Sequence, residues 1–553
     1  MNTDEKLTRK TFLEKTGKAA AVLAVAGSVP LVTGCKKSEA EFDIIIKGGT
    51  VYDGTFAKPK VIDIGIKGDT ITALGELTGT ADAIIDAKGL IVTPGFIDVH
   101  THCDLTFKRT GWQRHLARFM PSWKGNYNYL YQGVTTVVTG NCGYGYTDLN
   151  EWFGIADSID FGTNVYHLAP HGIIREELFG EKQPRDLSAA QLDQFKKKVA
   201  EEMEKGCIGF STGLEYAPGL YSTTAELIEL AKVVQKYDGL YATHMRDESG
   251  KIYDDGEFGI IKSIKEAIEI GRQAGIPVEI SHLKISAPLN NANPESMLEL
   301  IEQARREGLE VTADQYPYAA GSTQVTFLLP NEFKTSIGVK DEYKTKEGRV
   351  KMKEAIEKVF ETLKPEKTLI TMYPEREELE GKTIKEIADS EGKKPSEVFV
   401  EMAVEDQAPM AVFFFQDINV VRALMPRDYI LTASDGWTVP KDMTKPHPRV
   451  YGTFPKKIRQ FVLEEKLMSL TGAIRSMTSL PAEKFRMKGR GRIAEGNFAD
   501  IAVINLETIT DHATFTDPHQ YSEGVEYLLV NGVLSIDKGK ATGDRGGRPI
   551  RRV

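Results

Sequence analysis

His100 and His102 stand two residues apart at the end of an apolar, β-prone run, Gly95-Phe96-Ile97-Asp98-Val99. Side chains alternate faces along a strand, so a spacing of two puts both imidazoles on one side. Two imidazoles on one face make half of a site for a divalent metal. Four more ligand-type side chains fall at the ends of other strand-like runs: Cys142, His244, His282 and Asp435. The chain has only ten histidines, and four of them hold these positions. A lone histidine at a strand end is usually a hydrogen-bonded structural residue. Six ligand types at the same end of separate runs point instead to a metal. Thiolate, imidazole and carboxylate together suit zinc or a similar borderline-soft divalent ion. Cys103 follows His102 directly and should face away from the pair, and Cys207 at a strand start reads as a small buried apolar residue.

The runs that carry these residues are Gly95–Thr101, Gly133–Gly140, Thr163–Leu168, Gly206–Ser211, Gly239–Thr243, Pro277–Ser281, Leu309–Ala313 and Tyr429–Ala433. Amphipathic helical segments lie between several of them, among them Ala189–Lys205, Thr224–Tyr237 and Glu295–Glu307. Eight strands alternating with helices predict an α/β chain with a parallel (β/α)8, TIM-like barrel, whose chemistry sits at the C-terminal strand ends. The last two strands are far apart in sequence, and the Lys/Glu-rich stretch at about 331–381 predicts a helical insertion near the barrel mouth. Short strands with frequent turns occur between Phe42 and Val92 and again around Ala499–Ile504 and Val525–Val530. They predict a small β-sandwich domain formed from both termini, residues 36–93 with 485–553, around a barrel at 94–484.

At 553 residues and 41% apolar content the chain can bury a full core. A net charge of −9, with both signs mixed along the chain, argues against a nucleic-acid surface. Residues 1–35 read as a leader and are set apart from the fold. Lys6, Arg9, Lys10, Lys15 and Lys18 precede an apolar run from Ala19 to Gly34, too short to span a bilayer of ~20 residues. The run ends in Val32-Thr33-Gly34-Cys35, which resembles a bacterial lipobox and implies lipid attachment at Cys35. Thr8-Arg9-Lys10-Thr11-Phe12-Leu13 resembles a variant twin-arginine signal, the other route being an ordinary Sec signal. The expected location is the bacterial cell envelope, with contact to the membrane only through the anchor. The four cysteines show no paired spacing of a disulfide framework.

Longer motifs surround the candidate ligands. They include Pro94-Gly95-Phe96-Ile97-Asp98 before His100-Thr101-His102, Asn141-Cys142-Gly143, Phe210-Ser211-Thr212-Gly213-Leu214-Glu215-Tyr216-Ala217-Pro218-Gly219, Ala242-Thr243-His244-Met245-Arg246-Asp247-Glu248 and Ser281-His282-Leu283-Lys284. Asp314-Gln315-Tyr316-Pro317-Tyr318, Ser434-Asp435-Gly436 and His447-Pro448-Arg449 follow. In these the chain resembles the amidohydrolase superfamily and, within it, the D-aminoacylase (N-acyl-D-amino-acid deacylase) family. The resemblance implies one zinc held tightly by Cys142, His244 and His282, and a weaker second position at His100, His102 and Asp435. It implies hydrolysis of the amide of a small N-acyl-D-amino acid, and the D stereochemistry rests on it alone. Zinc polarises the amide carbonyl and acidifies water; Asp435 is expected to take the water's proton and return it to the leaving amine. Arg449 is suited to grip the substrate's α-carboxylate bidentately. By resemblance Lys284, Tyr316, Ser322 and Tyr216 complete that pocket. Competing readings are a cyclic-amide hydrolase of the dihydroorotase or hydantoinase kind, a dipeptidase acting on a C-terminal D-residue, and a non-catalytic envelope binding protein. Cys142 stands where many relatives in the superfamily have a carboxylated lysine. After Ser322-Thr323 many members of the family read Leu-Pro-x-Trp; this chain reads Leu329-Pro330-Asn331-Glu332-Phe333-Lys334, where Lys334 is read as solvated, the other reading being that it favours an acidic substrate side chain.

Overall fold

β-branched runs punctuated by glycine turns form strands at both ends of the chain, and those strands share one sheet. The computed structural model describes residues 40–108, 119–180, 183–286, 293–335, 338–439 and 444–552, so the leader and Cys35 lie outside the described residues. The terminal sheet has nine strands. Its N-terminal part includes Phe42–Val51, Lys60–Lys67 and Ile91–Pro94, and its C-terminal part includes Ile501–Ile504 and Val525–Val530. The halves join where Ile91–Pro94 pairs antiparallel with Ile501–Ile504, Val92 opposite Val503. Ile46, Ile64, Ile66, Val92, Ile501 and Val503 are buried together there, each worth about 1.5–3 kcal/mol of apolar transfer.

The middle of the chain forms an eight-stranded parallel sheet in sequence order. Its strands are β1 (Phe96–Asp98), β2 (Val134–Thr139), β3 (Asn164–Pro170), β4 (Gly209–Gly213), β5 (Leu240–His244), β6 (Val278–Ile280), β7 (Val311–Gln315) and β8 (Ile430–Thr432). All eight coincide with the runs read from the sequence. The sheet closes where β1 and β8 run out: Asp435 N–H donates to the His100 carbonyl at 2.9 Å, and His102 N–H to the Gly436 carbonyl at 2.7 Å. Below that seam the backbone N–H of Ser434 donates to both oxygens of the buried Asp98 carboxylate. Val137, Tyr241 and Ile430 pack outward with the helices. Their neighbours Val138, Leu240, Ala242 and Leu431 point the opposite way, where Leu480 and Phe485 join them.

The helices obey their sequence periods. Helix Ala189–Lys205 starts on a Ser188–Gln191 capping box, ends at Gly206 in the left-handed region, and buries Phe195, Val199 and Met203. The insertion is larger than the 331–381 stretch and is not purely helical. It spans a three-stranded antiparallel sheet, Gly321–Gln324, Thr368–Met372 and Met410–Phe413, with helices Lys346–Thr362, Ile384–Glu391 and Pro395–Ala403. Lys/Glu richness marks only its solvated helices, whereas its strands are short and individually unremarkable in composition. Met352, Ile356, Ile370, Phe399 and Phe413 form a core of its own.

Candidate metal centre

The six ligand-type residues meet above the barrel, and the backbone is bent to bring them there. Cys142 (φ 55°), His282 (φ 36°) and Asp435 (φ 49°) all adopt the left-handed conformation that L-residues avoid. Such conformations cluster at functional sites because the surrounding structure must enforce them. At Cys142 the enforcement is visible. Asn141 Nδ2 donates to the Val138 and Val99 carbonyls at 3.0 and 3.2 Å. Gly140, at φ 79°, packs so tightly that a Cβ there would stand 2.2 Å from the Leu168 carbonyl oxygen.

Cys142 Sγ lies 3.9 Å from His244 Nδ1 and 3.7 Å from His282 Nε2, and those two nitrogens are 2.9 Å apart. Zinc bonds of about 2.3 Å to sulfur and about 2.0–2.1 Å to nitrogen would put tetrahedral ligand atoms roughly 3.3–3.6 Å apart. The trio brackets that edge length, and its donor types are those of a zinc site. Beside it, Asp435 Oδ1 lies 3.3 Å from His102 Nε2 and 3.7 Å from His100 Nε2. His100 Nε2 also stands 3.2 Å from Cys142 Sγ, so the two groups of three are contiguous.

The electrostatics keep the nitrogens available. Burial pushes His100 down to about 3 and His244 to about 4, and holds His282 well below the ordinary range. The imidazoles are therefore neutral, with lone pairs free to bind a cation. Burial, then the Asp435 and Glu248 carboxylates, drive the Cys142 thiol well above its usual range, so this thiol ionises only for a cation. Burial alone would raise Asp435; Arg449 and the His102 hydrogen bond outweigh it and hold its carboxyl well below the usual carboxylate range.

Carboxylates back three of the four rings, a part of the site that sequence reasoning missed. His244 Nε2 faces Glu215 Oε2 at 3.0 Å, His282 Nδ1 faces Glu248 Oε1 at 3.1 Å, and His100 Nδ1 faces Asp314 Oδ2 at 3.4 Å. Asp314 also accepts the His282 backbone N–H at 2.8 Å. Such partners fix ring tautomer and orientation. The buried Nδ1 of His102 has no hydrogen-bond partner among the described residues. Asp314 lies next to the end of β7, one of three strands that supply no ligand, and Glu248 lies four residues after His244; an acid at a strand end and this spacing were the available signals.

The residues expected to hold substrate line one cavity with the ligands. Lys284, Tyr316, Ser322, Tyr216 and Arg449 all face it, together with His244, His282 and Asp435. Arg449 is buried, with Nη2 2.9 Å from Asp435 Oδ2 and its guanidinium 4.7 Å over the Tyr316 ring. Among the described residues its Nε and Nη1 have no hydrogen-bond partner, and neither has Ser322 Oγ. Lys284 is committed differently from expectation, since its ammonium pairs with Glu248 and lies 2.9 Å from His282 Nδ1. Tyr216 stacks near His244, ring centroids 4.6 Å apart. An adjoining space of about 480 Å³ extends under the insertion, lined by Phe327, Met372 and Met410. Lys334 lines it too and is half-buried instead of fully exposed; burial pulls its ammonium down to about 8. The fold of the insertion, invisible in local composition, turns it inward. Cys103 and Cys207 are buried free thiols, and no disulfide joins the described cysteines.

A family model described as "Amidohydrolase family" matches residues 83–536. The D-aminoacylase of Alcaligenes xylosoxydans xylosoxydans is 32% identical over 93% of this chain and 98% of its own. The N-acyl-D-glutamate deacylase of the same organism is 30% identical over 93% and 97%. The crystal structure of N-acyl-D-glutamate deacylase from Bordetella bronchiseptica, complexed with zinc and a phosphonate mimic of the tetrahedral intermediate, superposes with a TM-score of 0.77. It shares 29% identity over 92% of this chain and 99% of that one.

Proposed function

This chain belongs to the amidohydrolase family, and from that premise we propose that it is a zinc-dependent N-acyl-D-amino-acid deacylase in which Asp435 moves the proton and Arg449 holds the substrate. The observation that carries the reading is a buried arginine with two nitrogens unpartnered among the described residues, beside an ionised aspartate and a zinc-type donor trio. A buried guanidinium left with open donors is costly unless a ligand fills them. The ligand that fits is the α-carboxylate of an N-acyl amino acid.

Cys142, His244 and His282 would hold the zinc, which supplies Lewis-acid polarisation of the amide carbonyl and acidification of water when bound. Glu215 and Glu248 keep the His244 and His282 rings turned inward. Arg449 presents an open edge of its guanidinium, Nε or Nη1 together with the second N–H of Nη2, to the substrate carboxylate while the other Nη2 N–H stays on Asp435 Oδ2, which ties the position of the amide to that of the base. Ser322 Oγ, also unpartnered, adds a donor at the same wall. Asp435 Oδ1, ionised at neutral pH, accepts the proton of the attacking water and passes it to the amide nitrogen, so that a neutral amine leaves. His100 and His102 flank that oxygen and fix its direction.

The test is a panel assay of the zinc-loaded protein on N-acetyl-D- and L-amino acids, dihydroorotate and hydantoins, read as free amine or ring opening. Hydrolysis confined to N-acetyl-D-amino acids is expected; failure on all of them overturns the reading. We further propose anchoring of this enzyme in the bacterial envelope through Cys35. The support is the basic-then-apolar leader ending in Val32-Thr33-Gly34-Cys35. Among the described residues no helix is long and apolar enough to cross a membrane. Incorporation of labelled palmitate that persists in Cys35→Ala would refute the anchor.

A further inference from the structure

Among the described residues two of the three cations at the cavity are in contact with a carboxylate, and the third, Lys334, feels Glu215 only at a distance. Arg449 has Asp435 and Lys284 has Glu248. Lys334 enters from the insertion just after the turn Asn331–Phe333. Its Nζ donates to the Phe327 carbonyl at 2.9 Å and sits 5.4 Å over the Phe327 ring. Among the described residues no carboxylate lies within ion-pair distance of it. The one acid on that wall, Glu215, accepts from His244. An ammonium carries three N–H donors, so two remain for whatever enters the cavity. The surrounding wall includes the apolar side chains of Phe327, Met372, Met410 and Trp437 beside the hydroxyl and amide groups of Thr326 and Gln324, and among the described residues no cation other than Lys334 stands on the insertion side.

Resting on the deacylase reading, we propose that Lys334 is a specificity-determining residue that selects substrates bearing a second carboxylate, besides the α-carboxylate held at Arg449. A partly desolvated ammonium gains most from an anion that brings its own charge, because the cost of drying the lysine is met in the protein before binding. A site with open charged donors also discriminates strongly against an analogue that leaves them unfilled. The second carboxylate belongs either to the amino-acid side chain or to the acyl group; the chemistry at Lys334 is the same.

The experiment compares kcat/KM within two matched pairs on the zinc-loaded enzyme. N-acetyl-D-glutamate against N-acetyl-D-glutamine places the charge on the side chain. N-succinyl-D-leucine against N-butyryl-D-leucine places it on the acyl group. The acidic member of one pair is expected to be favoured by about tenfold or more, and the favoured pair identifies which substituent reaches Lys334. Lys334→Met should collapse that ratio toward one, and Lys334→Arg should restore most of it. Equal use of both members in both pairs overturns the inference and leaves the deacylase reading intact, as does a preference that survives Lys334→Met. No hydrolysis of any of the four overturns both.

Discussion

The two walls of the cavity are built on opposite principles. The barrel wall carries the chemistry on strand ends, with left-handed backbone at three ligand-type residues and carboxylates behind three of four histidines. The insertion wall is a separate small module with its own apolar core, and it faces the cavity with methionines, a phenylalanine, a few hydroxyl and amide groups and a lysine with no carboxylate in ion-pair contact among the described residues. A group that must hold a cation and move a proton needs its geometry over-determined. A wall that only sorts substrates can change without disturbing the barrel. The difference suggests a division that follows from the two proposals: reaction type set by the barrel, and substrate choice by the module above it.

Substitutions should separate the walls. Cys142→Ala should bring the largest loss: zinc content, read by elemental analysis, falls and turnover disappears, whereas Met410→Ala in the facing wall keeps its zinc. Equal zinc loss in both would break the comparison. Asp435→Asn should lower kcat by about 10²–10⁴-fold with zinc at the Cys142 trio retained, which separates the two halves of the barrel wall. Glu215→Ala should weaken zinc affinity by about 10–100-fold, measured by chelator competition, because His244 loses the acceptor that orients it. An unchanged affinity would show that packing alone positions the ring.

The smallest effect concerns the scaffold apart from the chemistry. Lys457 is buried, bonded only to the hydroxyls of Thr432 and Ser476, and burial pulls it down to about 7. Between pH 7 and 9 the folded lysine sheds a proton that the unfolded chain keeps, so the unfolded state binds more protons and stability rises with pH. The melting temperature of the wild type should therefore gain about 1–2 °C over this interval relative to Lys457→Met, with no change in zinc content.

The sequence made the barrel and its six ligand-type residues legible because both depend on local periodicity. Strand runs repeat, and a ligand at a strand end is found by counting. Asp314 and Glu248 left a signal in strand-end position and spacing but not the identity of the ring each meets, and Glu215 left none, since all three reach their rings through space across turns that carry no period. Lys334 was misread for a related reason: a lysine in a Lys/Glu-rich stretch reads as solvated until the fold of the insertion turns it inward. The size of the insertion was hidden because its three short strands gain their meaning only from pairing with one another.

The seam between β1 and β8 has a consequence for the life of the chain. Ser434 meets Asp98 across 336 residues of sequence, and Asp435 bonds the His100 carbonyl at the same join. During synthesis the cysteine and histidine donors all emerge long before the aspartate. A growing chain can thus collect its ligands while the ring is still open, but it cannot acquire its base until the last barrel strand arrives and docks. On the deacylase reading, the proposed base and then the substrate-holding Arg449 come last, so an unfinished polypeptide would hold donors for a metal and lack both.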